Sequence, residues 1–184
     1  MRSAAARKEE GTANVREEVV LVNHKDEVVG VEEKLATHVR GALHRAFSIF
    51  IFSSTGNLLL QRRTTTKYHS GGLWSNTCCG HPRMGESTEA ASRRRLYEEM
   101  GFDCEVRKVF EFIYYAELGG GLFEHEYDHV LVGQFDGVPI PSRDEVDDWK
   151  WVDPTKLRAE MRQNPQIFTY WFRVAFDPLW RLIQ

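Results

Sequence analysis

Apolar and polar positions alternate along the chain in a way that predicts short strands interleaved with three amphipathic helices. EEVVLVN (17–23) reads as a first strand, and AFSIFIFSS (46–54) and NLLLQRR (57–63) read as a hairpin around Thr55-Gly56. Two further strands, 104–116 and 126–135, bracket a turn at Gly119-Gly120-Gly121, and DWKWV (148–152) gives a short late strand. Helical spacing covers about 88–100, 154–163 and 167–183. Elements mixed in this order, with hairpins, predict an α/β (α+β) fold in which a mixed β-sheet lies between α-helices. No internal repeat or low-complexity linker interrupts 17–184, so one domain is expected there, with residues 1–16 a mobile N-terminal extension.

Composition narrows the function. The formal net charge of −3 gives no global support for nucleic-acid binding. Arg62, Arg63, Lys67 and Arg93 to Arg95 nevertheless form two basic clusters, which suit a small phosphorylated ligand. No apolar run approaches the roughly 18 residues of a membrane helix, and the polar N-terminus carries no secretory h-region. Cys78, Cys79 and Cys104 form no CxxC and no disulfide framework, so a reducing cytoplasm is the expected compartment.

The segment GESTEAASRRRLYEEMG (85–101) has a Ser87 or Thr88 N-cap and a Gly101 stop. Its last turn carries Glu98 and Glu99, where the helix dipole prefers cations, and Arg94 and Arg95 precede them in the weaker i,i+4 orientation. Local rules broken without local gain mark a functional site. Gly80, Glu86, Arg94, Glu98, Glu99 and Gly101, with Leu96 and Phe102 in the apolar slots, fit the Nudix box. One position departs, because Arg95 stands where the box has a metal-binding glutamate. A cation there repels metal and attracts phosphate oxygens.

WSNTCCGHP (74–82) lies just before the box. Cys79 and His81 are two residues apart, so an extended backbone points both the same way, with Cys78 turned into the core. A thiol beside a metal-ligating imidazole is expected to be stabilised as thiolate. His38 and His44 come just before a core strand, and in FEHEYDHVLVG (123–133) Glu124 and Glu126 share one face while His125 takes the other. Two inward carboxylates are costly unless paired, protonated or bound to metal. Three histidines and two glutamates form an N3O2 set suited to Mn²⁺, Fe²⁺, Zn²⁺ or Mg²⁺. His24, His69, His125 and His129 are expected to be structural or surface residues.

LHRAFS (43–48), SGGLWSNTCCGHP (70–82), the altered box and EHEYDHVL (124–131) together resemble the type I isopentenyl-diphosphate isomerases of the Nudix superfamily. The resemblance implies interconversion of isopentenyl and dimethylallyl diphosphate without flavin, and makes a Nudix hydrolase of nucleoside or prenyl diphosphates the alternative. It implies that Cys79 and Glu126 move the protons, with Tyr114 near Glu126 and Trp171 facing the hydrocarbon. It implies a protein-bound divalent metal, Mn²⁺ or Mg²⁺ with Zn²⁺ possible, on His38, His44, His81, Glu124 and Glu126. Glu99 would help hold a Mg²⁺ on the substrate, and Lys34, Arg63, Lys67 and Arg95 would clamp the diphosphate. The expected partner is that small molecule, with neither nucleic acid nor membrane insertion.

Overall fold

The structure is a computed structural model that describes residues 17–183; the expected extension over 1–16 lies outside them. Among the described residues, nine strands and four helices run in the order β1 (Glu18–Val22), β2 (Val28–Glu33), α1 (Lys34–Arg40), β3 (His44–Phe52), β4 (Leu58–Arg63), β5 (Trp74–Ser75), β6 (Cys78–Gly80), α2 (Thr88–Met100), β7 (Val106–Gly119), β8 (Leu122–Gln134), β9 (Val146–Val152), α3 (Pro154–Gln163) and α4 (Tyr170–Ile183). A short 3-10 turn, Pro165–Ile167, joins α3 to α4. Among the described residues no helix is long and apolar enough to cross a membrane.

β3 organises the sheet. One edge pairs parallel with β8 along its whole length, from His44 opposite Glu126 to Phe52 opposite Gln134. The other edge takes three antiparallel partners in turn: β1 at His44, β6 at Phe47 to Ile49, and β4 at Phe52. Its run AFSIFI (46–51) is buried on both faces, as a strand covered on both sides must be. Phe50, Leu58 and Leu60 pack under Leu157 and Met161 of α3 and Trp171, Phe172 and Phe176 of α4. Phe47, Ile49, Ile51 and Leu59 pack under Ala91, Leu96 and Met100 of α2. The mixed sheet between helices is therefore as expected.

Helix α2 obeys its predicted ends. Ser87 Oγ accepts from Ala90 N, and Gly101 closes the helix at φ 74°. A side chain at Gly101 would be strained by that φ and would meet the Ile140 carbonyl oxygen at 2.2 Å. Several strand ends differ from the sequence reading, with β7 running to Gly119 and β8 starting at Leu122. Both β2 and α1 were unanticipated, because β2 is largely exposed and lacks a period-two apolar face, and α1 spans only seven residues. The predicted helix 167–183 starts instead at Tyr170, since Phe168 is extended and Thr169 N bonds to Trp74 O at 2.9 Å.

Candidate functional site

Five of the predicted ligands meet at one end of β3. His44 opens that strand, and the parallel register sets Glu126 opposite it. The β7–β8 register sets Tyr114 on the other flank of Glu126, and the Tyr114 hydroxyl donates to Glu126 Oε2 at 2.6 Å. Glu124, two residues earlier on β8, falls on the same inward face; both carboxylates are buried, at 3% and 8% exposure. His38 arrives from α1, one turn after Lys34, and His81 from the segment after β6.

The donor atoms converge in a way that fits a cation. His38 Nδ1 lies 2.6 Å from the Lys34 carbonyl and His44 Nδ1 lies 2.9 Å from the Ala42 carbonyl. Those carbonyls only accept, so in the neutral tautomer of each ring the proton sits on Nδ1 and a lone pair at Nε2 faces inward. His38 Nε2 is 3.2 Å from Glu124 Oε2, His44 Nε2 is 3.6 Å from Glu126 Oε1, and His81 Nε2 is 3.1 Å from Glu126 Oε1. Ligands of an octahedral ion at about 2.1 Å stand about 3.0 Å apart along an edge, close to these spacings. His38 Nε2, His44 Nε2 and Glu124 Oε2 are buried without a hydrogen-bond partner. Such orphaned acceptors aimed at one point are costly unless a cation satisfies them.

Electrostatics couple the groups of the cluster: burial lowers His38, but the neighbouring Glu124 outweighs that and holds it above its usual value. Burial, with the neighbouring Glu126 charge, raises the Glu124 carboxyl to about 7. Glu126 is held well below the usual carboxylate range: burial raises it, but His44 and His81 outweigh that. Burial lowers His81 to about 4, keeping it neutral at pH 7 as a ligand must be.

Beside this cluster lies a cavity lined by Cys79, Trp171 and the cations Lys34, Arg63, Lys67 and Arg95. Cys78 is fully buried against α2, while Cys79 on the opposite face of β6 looks into the cavity. The expected thiolate is not stabilised by the protein's own groups. Burial pushes the Cys79 thiol up to about 12, aided by Glu99, Glu126 and Asp128 against Arg63. The indole of Trp171 is fixed by Nε1 donating to Ser75 Oγ at 3.0 Å, and the Arg63 guanidinium carbon lies 5.2 Å from its ring centre.

Arg95 contacts Glu98 at 2.8 Å, Glu99 at 2.5 Å and Glu145 at 3.2 Å. Glu99 also accepts from Gln61 Nε2 at 2.8 Å. Arg94 instead makes two 2.8 Å bonds to Glu86, which tie the loop before α2 to the middle of the helix. Gly80 leaves room for this arrangement, since a Cβ there would lie 3.1 Å from Phe47 and 3.3 Å from the Arg95 side chain. Lys67 pairs with Glu145, and Lys34 with Glu17 at 3.0 Å.

Two groups escaped the sequence reading. Glu145 pairs with two of the cavity's cations, Lys67 and Arg95, and no local pattern singles it out. His69, expected to be structural or on the surface, lines the cavity and approaches Glu124 Oε1 at 3.5 Å. Its position two residues after Lys67 was the available signal. The other three histidines stand outside the cavity: His24 is exposed, His125 bonds the Gly41 carbonyl, and His129 bonds Asp26.

Comparison with known proteins agrees with this geometry. Residues 42–172 match the NUDIX domain. The chain is 57% identical to isopentenyl-diphosphate Delta-isomerase 2 of Photorhabdus laumondii, covering 88% of this chain and 91% of that protein. It is 53% identical to isopentenyl-diphosphate Delta-isomerase 2 of Aromatoleum aromaticum, covering 89% and 86%. Among solved structures, DR0079 of Deinococcus radiodurans superposes with a TM-score of 0.67 at 25% identity, covering 80% of this chain and 90% of that one. The MutT protein of Methanosarcina mazei shares the fold at a TM-score of 0.63 and 19% identity, covering 77% and 96%. With Arg95 in place of the box glutamate and Cys79 facing a cavity walled by Trp171, the chain belongs to the isopentenyl-diphosphate Delta-isomerases, within the Nudix fold.

Proposed function

We propose that this protein interconverts isopentenyl and dimethylallyl diphosphate by adding a proton at one carbon and removing one at another, through a tertiary carbocation. The observation that carries this reading is that Cys79 and the Tyr114–Glu126 pair border one cluster-and-cavity site from strands on opposite sides of β3. At rest the Cys79 thiol is protonated and the Glu126 carboxylate ionised. The site thus holds one proton to give, on Sγ, and one vacancy to accept, on Glu126, as a reversible proton shift requires.

The clamp does the positioning. Lys34, Arg63, Lys67 and Arg95 would take the diphosphate, exchanging their present carboxylate partners for phosphate oxygens and leaving the five-carbon chain directed at Cys79 and Trp171. The buried aromatic wall excludes the water that would trap a carbocation, and an indole face stabilises the cation without attacking it. His38, His44, His81, Glu124 and Glu126 would hold a divalent ion, Mn²⁺, Mg²⁺ or Zn²⁺, and Glu99 would help hold a Mg²⁺ on the substrate. The protein-bound ion would supply positive charge that fixes the ionisation of Glu126.

The test is product analysis with Mg²⁺ and isopentenyl diphosphate. Appearance of dimethylallyl diphosphate without inorganic phosphate is expected. Phosphate or diphosphate release in step with substrate loss would return the reading to a Nudix hydrolase.

A further inference from the structure

His69 touches the ligand cluster from outside. Its Nε2 lies 3.5 Å from Glu124 Oε1, whereas His38 and His44 face the other oxygen, Oε2, at 3.2 and 3.9 Å. The two oxygens of one buried carboxylate therefore have separate neighbours. His69 Nδ1 lies 3.4 Å from the Ser70 hydroxyl. With that hydroxyl as donor, the ring proton sits on Nε2, the atom that faces Glu124.

The ring is boxed in. It stacks on His38 at 5.8 Å and 28°, meets Tyr68 edge-on at 4.5 Å and 87°, and meets Trp171 edge-on at 5.9 Å and 83°. Donor atoms of His38, His69 and Glu124 lie within 4.8 Å of one another, and among the described residues His69 joins no such group with His44, His81 or Glu126. An ion shared by the five converging ligands would thus lie across Glu124 from His69.

We propose that His69 is a positioning residue that donates its Nε2 proton to Glu124 Oε1. This leaves Oε2 as the oxygen presented to His38 and His44 and makes Glu124 a one-oxygen ligand. The same ring braces Trp171, so one side chain links the metal centre to the wall of the hydrocarbon pocket. A partner of this kind fixes a ligand's direction, and its loss typically weakens metal binding about 10- to 100-fold. The inference rests on the metal-centre reading above.

The experiment titrates Mn²⁺ into metal-free wild type, His69→Leu, His69→Gln and His81→Ala, following free Mn²⁺ by electron paramagnetic resonance. Nitrogen modulation of the bound-Mn²⁺ signal counts coordinated imidazoles. His69→Leu, which keeps bulk without a donor, is expected to bind about 10- to 100-fold more weakly. His69→Gln, which restores an N–H, should recover most of that loss, and both should retain the wild-type imidazole count. Unchanged affinity in His69→Leu, or one imidazole fewer in either variant, overturns the inference. If His81→Ala loses tight binding while His69→Leu keeps it, the positioning role fails and the metal centre stands. Absence of tight binding in wild type removes both.

Discussion

Replacing Arg95 by glutamine separates the clamp from the chemistry. Arg95 bridges Glu98, Glu99 and Glu145, of which Glu99 is 5% exposed and keeps the neutral Gln61 amide as a partner but no cation once the guanidinium is gone. Breaking a fully buried pair costs about 3–5 kcal/mol, but the Arg95 side chain is 23% exposed, so about 2 kcal/mol is expected after screening. For a chain of this size that corresponds to a melting temperature lower by roughly 4–8 °C. Mg²⁺ should raise the melting temperature of Arg95→Gln by more than that of wild type, because the freed carboxylates regain the character of the ordinary Nudix metal cluster. A charge-assisted hydrogen bond contributes about 1.5–3 kcal/mol, or roughly 10- to 150-fold in affinity. Substrate must first displace Glu98 and Glu145, which places the expected rise in KM near the low end of that range. The diphosphate keeps its charge through the reaction, so its binding is uniform and kcat should change by less than about threefold. Steady-state rates of dimethylallyl diphosphate formation, with melting curves with and without Mg²⁺, measure all of this. A fall in kcat at unchanged KM would refute the reasoning and place Arg95 at the reacting carbons.

Other substitutions test other parts of the site. Cys79→Ala should lower kcat by about 10²- to 10⁴-fold, whereas Cys78→Ala should cost only packing, of order 1 kcal/mol in stability; a fully active Cys79→Ala protein would remove the thiol from the mechanism. Trp171→Phe and Trp171→Leu both lose the bond to Ser75, so their difference isolates the π face: Leu should be about thirtyfold slower in kcat for a cation–π contact of about 2 kcal/mol, and equal rates would make Trp171 packing alone. The Cys79 thiol, raised by burial to about 12, should resist alkylation in metal-free protein between pH 7 and 9. Because its folded value exceeds the usual value of about 8.5, the folded state holds the extra proton and stability falls as pH rises from about 8.5 to 12. Substituting Cys79 by alanine should flatten that alkaline slope, and an unchanged slope would contradict the burial argument.

Features written into local pattern were legible in the sequence. The caps of α2, the period-two placement of Glu124 and Glu126, and the opposed faces of Cys78 and Cys79 all follow from spacing within one element. Features that depend on contacts distant in sequence were not. Exposed β2 leaves no apolar stripe, and seven-residue α1, which delivers both Lys34 and His38, is too short for helical periodicity to register. Glu145 becomes a site residue only because the turn before β9 brings it to Arg95, fifty positions away in the chain. His69 sits in a loop with no repeat pattern and gains its place from Glu124 and Trp171, which lie on different elements. The burial that raises the Cys79 thiol was not legible either, because it comes from elements distant in sequence, with Glu99 of α2 and Asp128 of β8 adding to it.

The central claim is that this Nudix fold moves a proton and leaves the diphosphate intact. Incubation of the purified protein with isopentenyl diphosphate and Mg²⁺ in D₂O, followed by ¹H, ²H and ³¹P NMR, tests it directly. Solvent deuterium should enter both five-carbon diphosphates as they equilibrate, while the two phosphorus resonances of the diphosphate persist. Steady release of phosphate, with no deuterium in the recovered carbon skeleton, would contradict the account.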